Sequence, residues 1–162
     1  MKLVVSLCIA IMVSSAMAAG SDTSNKVVPY PQGYRQWQHV KSMVIQDGHA
    51  LFDSFGGIHH LYANSKAMAG YRNGNFPDGA VIAFDLLEAT AGGNAIAEGP
   101  RKVLGVMHRD ARKFAATGGW GFEGFVGDSK TQRAVGGNAA AACFACHTAQ
   151  KQHNYVFSNY RR

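Results

Sequence analysis

The stretch CFACHTAQ, Cys143 to Gln150, puts a Cys-x-x-Cys-His pattern close to the C-terminus of a 162-residue chain. One helical turn presents the thiols of Cys143 and Cys146 together and carries His147 beside them. That is the arrangement that attaches haem through two thioethers and brings the histidine under the iron as axial ligand. Its position constrains the fold, because little chain follows it and the walls around the group must come from upstream. A thioredoxin-like redox pair would follow a strand inside a βαβ unit, whereas this motif follows an alanine run. A zinc site built from Cys143, Cys146, His147 and His153 is opposed by the placement of His147 directly after the second cysteine. The expected cofactor is one covalent haem c, with His147 as the metal ligand.

The start of the chain is expected to be removed. Met1 and Lys2 give a short basic start, Leu3 to Val13 an apolar run and SSAMAAG a small-residue cleavage site, which predicts a signal peptide over residues 1–18 cut after Ala18. Cys8 leaves with it. Residues 19–29 then form a flexible mature N-terminus ended by Pro29 and Pro31, and residues 30–162 one haem-binding domain. No later run approaches ~18 consecutive apolar residues, so no membrane association is expected of the exported protein. The formal charge of +6 is scattered among positions such as Arg101, Arg109, Arg112 and Arg133, and no nucleic-acid motif accompanies it. The basic residues are therefore expected on the solvated surface or paired with haem propionates, and no nucleic-acid partner is expected. Glu123 is expected at the surface, with a polar position in the pocket as the alternative.

Hydrophobic spacing gives the elements. GGIHHLYAN reads as a strand, and SKAMAGYRNG as a short helix capped by Asn64 or Ser65 and stopped by Gly74. FPDGAVIAFDLLEA is a strand after a Pro-Asp-Gly turn. TAGGNAIAEGP is a loop leading to RKVLGVMHR, its hairpin partner. DARKFAATGG reads as a helix between Asp110 and Gly118, WGFEGFVGD as a strand, and NAAAACFACHTAQKQ as a helix capped by Asn138. YRQWQHVKSMVI fits either state. The fold class is α+β: mainly antiparallel sheet, peripheral helices and a C-terminal haem-attachment helix.

What lies on the other side of the iron is the harder question. Met43, Met68 and Met107 all lie upstream, and methionine more often fills core gaps than binds metal. His59 and His60 are neighbours on a strand and point to opposite faces, so at most one can face the haem. An open sixth position is the expected state.

GGIHHLYANSKAMAGY, FPDGAVIAFDLLEA, RDARKFAATGGWGFEGFVGD and CFACHTAQKQHNYVFSNY resemble the cytochrome P-460 superfamily, specifically its cytochrome c′-beta branch, from about Tyr30 to Tyr160. The resemblance implies an antiparallel sheet, a homodimer, a bacterial periplasmic location and a five-coordinate haem c held by Cys143, Cys146 and His147. The hydroxylamine-oxidising P-460 enzymes carry a lysine, joined covalently to the haem ring, where this sequence has Phe84. Phe84 and Phe55, with Phe52 as the neighbouring alternative to Phe55, match the aromatic cap of the c′-beta branch. The resemblance implies binding of nitric oxide and carbon monoxide, discrimination against dioxygen and an unidentified redox partner. The alternatives are a hydroxylamine or nitric oxide oxidoreductase, in which Lys66 or another amine attacks the ring, and an electron carrier.

Overall fold

The computed structural model describes residues 27–161. The predicted signal peptide and the residues before Val27 lie outside them. Five strands follow one another as an antiparallel meander: β1 (Gln38–Ile45), β2 (Gly57–Ala63), β3 (Val81–Gly92), β4 (Ala95–Arg109) and β5 (Trp120–Val126). A one-turn helix α1 (Phe52–Phe55) joins β1 to β2, and α2 (Ser65–Asn73) joins β2 to β3. The α+β expectation holds, and the ambiguous YRQWQHVKSMVI resolves into a 3-10 turn at Tyr34–Gln36 followed by β1.

Local chemistry explains the boundaries. Asn64 Oδ1 accepts from the Ala67 amide at 2.8 Å, which caps α2, and from the Val81 amide at 3.1 Å, which ties the cap to β3. Gly74 ends α2 in the left-handed region at φ 73°. Inside α2, Gly70 is required by close approach, since a Cβ there would meet the Phe76 ring at 2.3 Å.

Three expectations are corrected. TAGGNAIAEGP is mostly paired strand, and the hairpin closes over Gly93 and Asn94 alone, with φ 57° and 60°. Two left-handed residues make the tight turn that matches strand twist, so partner strands override the weak strand propensity of Ala and Gly. DARKFAATGG does not become an α-helix. Asp110 Oδ1 caps it through the Lys113 and Arg112 amides, but the Asp110 amide bonds the Gly119 carbonyl. The closed loop leaves room only for a 3-10 turn at Ala115–Thr117. Asn138 makes no side-chain cap, and the C-terminal helix changes winding along its length.

The sheet is covered on both faces. One face packs Ala63, Ile82, Trp120 and Phe122 against Ala67, Met68, Phe76 and Val156, with Cys143, Phe144 and Tyr155 at its margin. The other packs Ala83, Leu104, Val106 and Phe125 against Val28, Tyr34 and Phe114. Val28, expected in a flexible terminus, is buried there, and its carbonyl accepts from Arg133 Nη1 at 2.9 Å.

The second face also holds the buried carboxylates. Asp85 is fully buried, accepts from Arg101 Nε at 2.5 Å, Tyr34 Oη at 2.6 Å and Arg35 Nη2 at 3.0 Å, and Arg101 continues to Asp128. Burial would raise the Asp85 carboxyl, but the bonds from Arg101 and Tyr34 and the charges of Arg101 and Arg35 hold it below its ordinary value. Burial first, then the bond to Asp85, pushes Tyr34 up to about 12. Removing the anion strands a guanidinium and a phenol, so Asp85→Ala is expected to cost about 3–5 kcal/mol. Because the folded pKa lies below the unfolded one, the contribution is complete above about pH 4 and is lost as pH falls through the folded value. Urea midpoints should therefore decline as pH falls below about 4, and less steeply in Asp85→Asn; parallel declines would show that other carboxylates carry the acid lability.

Candidate haem site

The candidate residues lie along the first face of the sheet and the C-terminal segment that crosses it. Gly136–Asn138 begins this segment as a 3-10 turn, Ala140–Phe144 is wound as a π-helix, α3 (Ala145–His147) follows, and Thr148–His153 tightens to 3-10 winding. Cys143 and Cys146 fall on successive turns and form no disulfide; Cys143 is half-buried and Cys146 exposed. Burial, reinforced by Glu123 and Cys146, pushes the Cys143 thiol above its ordinary pKa.

His147 is the most constrained of the five candidates. Its Nδ1 lies 2.7 Å from the Tyr155 carbonyl. A carbonyl only accepts, so Nδ1 carries the proton and Nε2 is left with a free lone pair. Burial lowers the pKa of the ring, and the Tyr155 bond only partly opposes this, so the neutral form is favoured. Phe122 at 4.9 Å and Phe157 at 5.0 Å, centroid to centroid, fix the plane of the ring.

The Tyr155 carbonyl reaches His147 because the chain reverses through two consecutive left-handed residues, Asn154 (φ 55°) and Tyr155 (φ 64°). Asn tolerates this region and Tyr does not, so surrounding bonds must hold the turn. Trp120 Nε1 donates to the Asn154 carbonyl at 2.8 Å, Asn154 Nδ2 donates to the Gly74 carbonyl at 2.7 Å, and the Tyr155 amide donates to the Gln150 carbonyl at 2.7 Å. Sequence reading missed Tyr155, Trp120 and Asn154; the signal available was Asn154 directly after a helix.

Glu123 corrects another expectation. It is buried, and its carboxylate accepts from Arg133 at 2.8 Å and from the amides of Gly124, Val135 and Gly136 at 2.9–3.1 Å. Burial would raise its pKa, but Arg133 and the three amides hold it below the ordinary value. Glu123 thus pins the start of the segment that carries Cys143. Two of the four arginines considered for propionates are committed to buried carboxylates, Arg101 to Asp85 and Arg133 to Glu123. Arg109 donates to the Gly118 and Phe76 carbonyls and lies over Trp120.

Phe84 projects from β3 with the phase of Ile82 and Leu86. The register places Leu61 of β2 and Gly105 of β4 beside it, with Gly124 of β5 beyond. Phe55 meets the Phe84 ring edge to face at 5.8 Å, whereas Phe52 turns to a groove with Val44, Ile45 and Ile96. The His59 ring also lies against Phe84, 4.7 Å between centroids. Its Nδ1 is buried without a partner among the described residues. Burial, with the positive charges of His60 and Lys41, lowers its pKa to about 4. His60 faces the opposite side, as strand alternation requires. Lys66 bonds the Asp78 carbonyl at 3.1 Å, at the turn before β3. The lysine that the register brings to the Phe84 face is Lys41, two strands away, about 10 Å by strand spacing.

The structure thus gathers Cys143, Cys146 and His147 on one segment and pairs Phe55 with Phe84 on the sheet face that this segment crosses. Phe157, Phe55 and Val126 remain 56%, 39% and 37% exposed around that face; Gly105 and Gly124 add no side chain to the Phe84 row, and Val103 and Ala134 flank Gly124. Unpaired thiols, a neutral imidazole with its outer nitrogen free, and uncovered apolar surface fit a flat apolar macrocycle.

The left-handed turn supplies a test. Asn154→Ala and Asn154→Gly both lose the bond to Gly74, but only alanine also meets the steric penalty. The alanine variant is expected to be less stable than the glycine variant by about 1 kcal/mol in denaturant unfolding. Equal stabilities would show that the turn relaxes.

The profile of the Cytochrome P460 family matches residues 31–158, from the first covering segment to the residues just past Tyr155. Among curated proteins, none matches the chain significantly. The match spans every strand and the whole Cys-x-x-Cys-His segment, so the chain belongs to the cytochrome P460 family.

Proposed function

We propose that this haem-binding member of the cytochrome P460 family is a mono-haem cytochrome of the c′-beta type, which takes up nitric oxide and carbon monoxide and discriminates against dioxygen. The observation that carries the reading is the edge-to-face pair of Phe84 and Phe55, at the position where the resemblance puts a cross-linking lysine in the hydroxylamine-oxidising enzymes. Cys143 and Cys146 are the attachment thiols and His147 the proximal ligand. When bound, the haem supplies an iron with one open position for a diatomic ligand.

The side chains set what that position accepts. Burial keeps His147 neutral, and the Tyr155 carbonyl holds its proton on Nδ1 and fixes its orientation. Phe84 and Phe55 exclude water and offer no donor, and dioxygen depends on a donor more than nitric oxide or carbon monoxide does. Turnover of hydroxylamine through a ring-linked amine is disfavoured, because Phe84 has no nucleophile and Lys66 is held at the Asp78 carbonyl. Export with removal of residues 1–18, a periplasmic location and a homodimer complete the proposal and rest on the sequence and the resemblance.

The test is the absorption spectrum of the reduced protein before and after carbon monoxide. A five-coordinate spectrum that shifts on carbon monoxide and gives no lasting complex in air is expected. A six-coordinate resting spectrum would favour an electron carrier, and haem that stays attached after thioether cleavage would favour the enzyme. Displacing Phe84 from Phe55 costs about 0.5–1.5 kcal/mol. Phe84→Ala should therefore bind carbon monoxide and nitric oxide about two- to tenfold faster in rapid mixing, with little gain in dioxygen affinity. Unchanged rates would place the gate elsewhere. His147→Ala should lose the native ferrous spectrum and recover it with added imidazole.

A further inference from the structure

The sheet face turned away from Phe84 carries a cluster that the haem reading does not use. Ser42 of β1 lies opposite His60 of β2, and Ser42 Oγ is 2.6 Å from His60 Nδ1. The same oxygen is 2.9 Å from His39 Nε2. Two imidazole nitrogens therefore converge on one hydroxyl, with the ring centres 6.0 Å apart. At the far side of His60, Glu98 Oε1 of β4 lies 2.7 Å from Nε2, an approach not aligned as a hydrogen bond.

This convergence needs a specific irregularity of the backbone. His39 and Ser42 are three residues apart, and in an unbroken strand they would point to opposite faces. The register shifts between His39 and Lys41, so that His39 pairs with Tyr62 and Ser42 with His60, two residues of β2 that share a face. The bulge sends Val40 into the core on the other face and turns His39 back beside Ser42.

We infer that His39 and His60 form a two-imidazole site for a divalent first-row transition ion, copper(II) or zinc(II), with Ser42 Oγ and water in the remaining positions. Two imidazole nitrogens and a hydroxyl are donors that suit these borderline ions. An ion about 2.0–2.1 Å from each nitrogen would occupy the space that the Ser42 hydroxyl now bridges, and His39 is exposed and free to turn inward. Glu98 lies beside the outer nitrogen of His60, within reach of the N–H that a metal-bound imidazole would present there, and leaves Nδ1 for the ion. Among the described residues no group of three or more His, Cys, Asp or Glu forms a closed metal site, so this is an open site that keeps water on the ion. It does not depend on the haem reading.

The test uses the haem-loaded mature protein, stripped with a chelator and titrated with zinc(II) by calorimetry and with copper(II) by electron paramagnetic resonance. A single ion with splitting from two nitrogens is expected. His39→Ala and His60→Ala should each weaken binding about tenfold or more, and Glu98→Gln by about tenfold. Substitution of His49 or His153 should leave binding unchanged, as should the haem spectrum in every variant. Absence of zinc(II) binding below millimolar concentration in the parent protein would overturn the inference. So would parental affinity in the His39→Ala/His60→Ala double variant, or a copper(II) signal indifferent to loss of His39.

Discussion

The bond from His147 Nδ1 to the Tyr155 carbonyl decides what the C-terminal segment can do. It selects the tautomer, leaves Nε2 as the donor and sets the plane of the ring between Phe122 and Phe157. None of this is local to the Cys-x-x-Cys-His pattern. The carbonyl is delivered by a two-residue left-handed turn that Trp120 of β5 and the Gly74 carbonyl beyond α2 hold in place. The sheet therefore acts on the imidazole through Trp120, a fully buried side chain whose burial contributes on the order of 3 kcal/mol. The same strand offers Glu123 on its other side to clamp the amides where the segment begins. β5 thus holds the C-terminal segment at both ends.

The two faces of the sheet differ in polarity. Asp85 and Glu123, the buried carboxylates, both sit on the second face with the arginines that neutralise them. The first face keeps Ile82, Leu86, Phe84 and Phe122, with neutral His59 against Phe84. Arg101 and Arg133 cannot serve the first face without leaving a buried anion, which costs several kcal/mol. On that side Arg109 lies over Trp120, bonded to the Phe76 and Gly118 carbonyls, and Lys41, which shares its strand phase with Leu61, stays exposed.

Much of this was legible in the sequence. β-Branched and aromatic runs gave β2, β3 and β5, and Asn64 and Gly74 gave the ends of α2, because these signals act through their own backbone. What stayed hidden depends on partners distant in the chain. Ala95 to Gly99 pairs as strand only because β3 lies beside it. Glu123 reads as a surface residue until Gly136, at φ 56°, turns two amides toward it. A Tyr at positive φ has no sequence signature at all. The candidate thiols and His147 were legible as a motif, but the tautomer of His147 was not, since the carbonyl that sets it lies beyond the motif.

Register is what keeps the two sides of the molecule distinct. His59 faces Phe84 and His60 faces Ser42, and a slip of β2 by one residue would exchange them. Apolar pattern alone guards weakly against that slip, because Ile58, Leu61 and Ala63 supply apolar residues to both phases of β2. Stronger guards lie on either side. On β3, Asp85 stands opposite His60 and is locked to Arg101 of β4 and Tyr34 of the N-terminal segment, which fixes the phase of the strand that β2 pairs with. On β1, the bulge at Val40 lets one strand satisfy both faces, with Val40 in the core and His39 outside it. The buried ion pair fixes β3 and the bulge fixes β1, and the different chemistry of the adjacent histidines follows from the register of β2 between them.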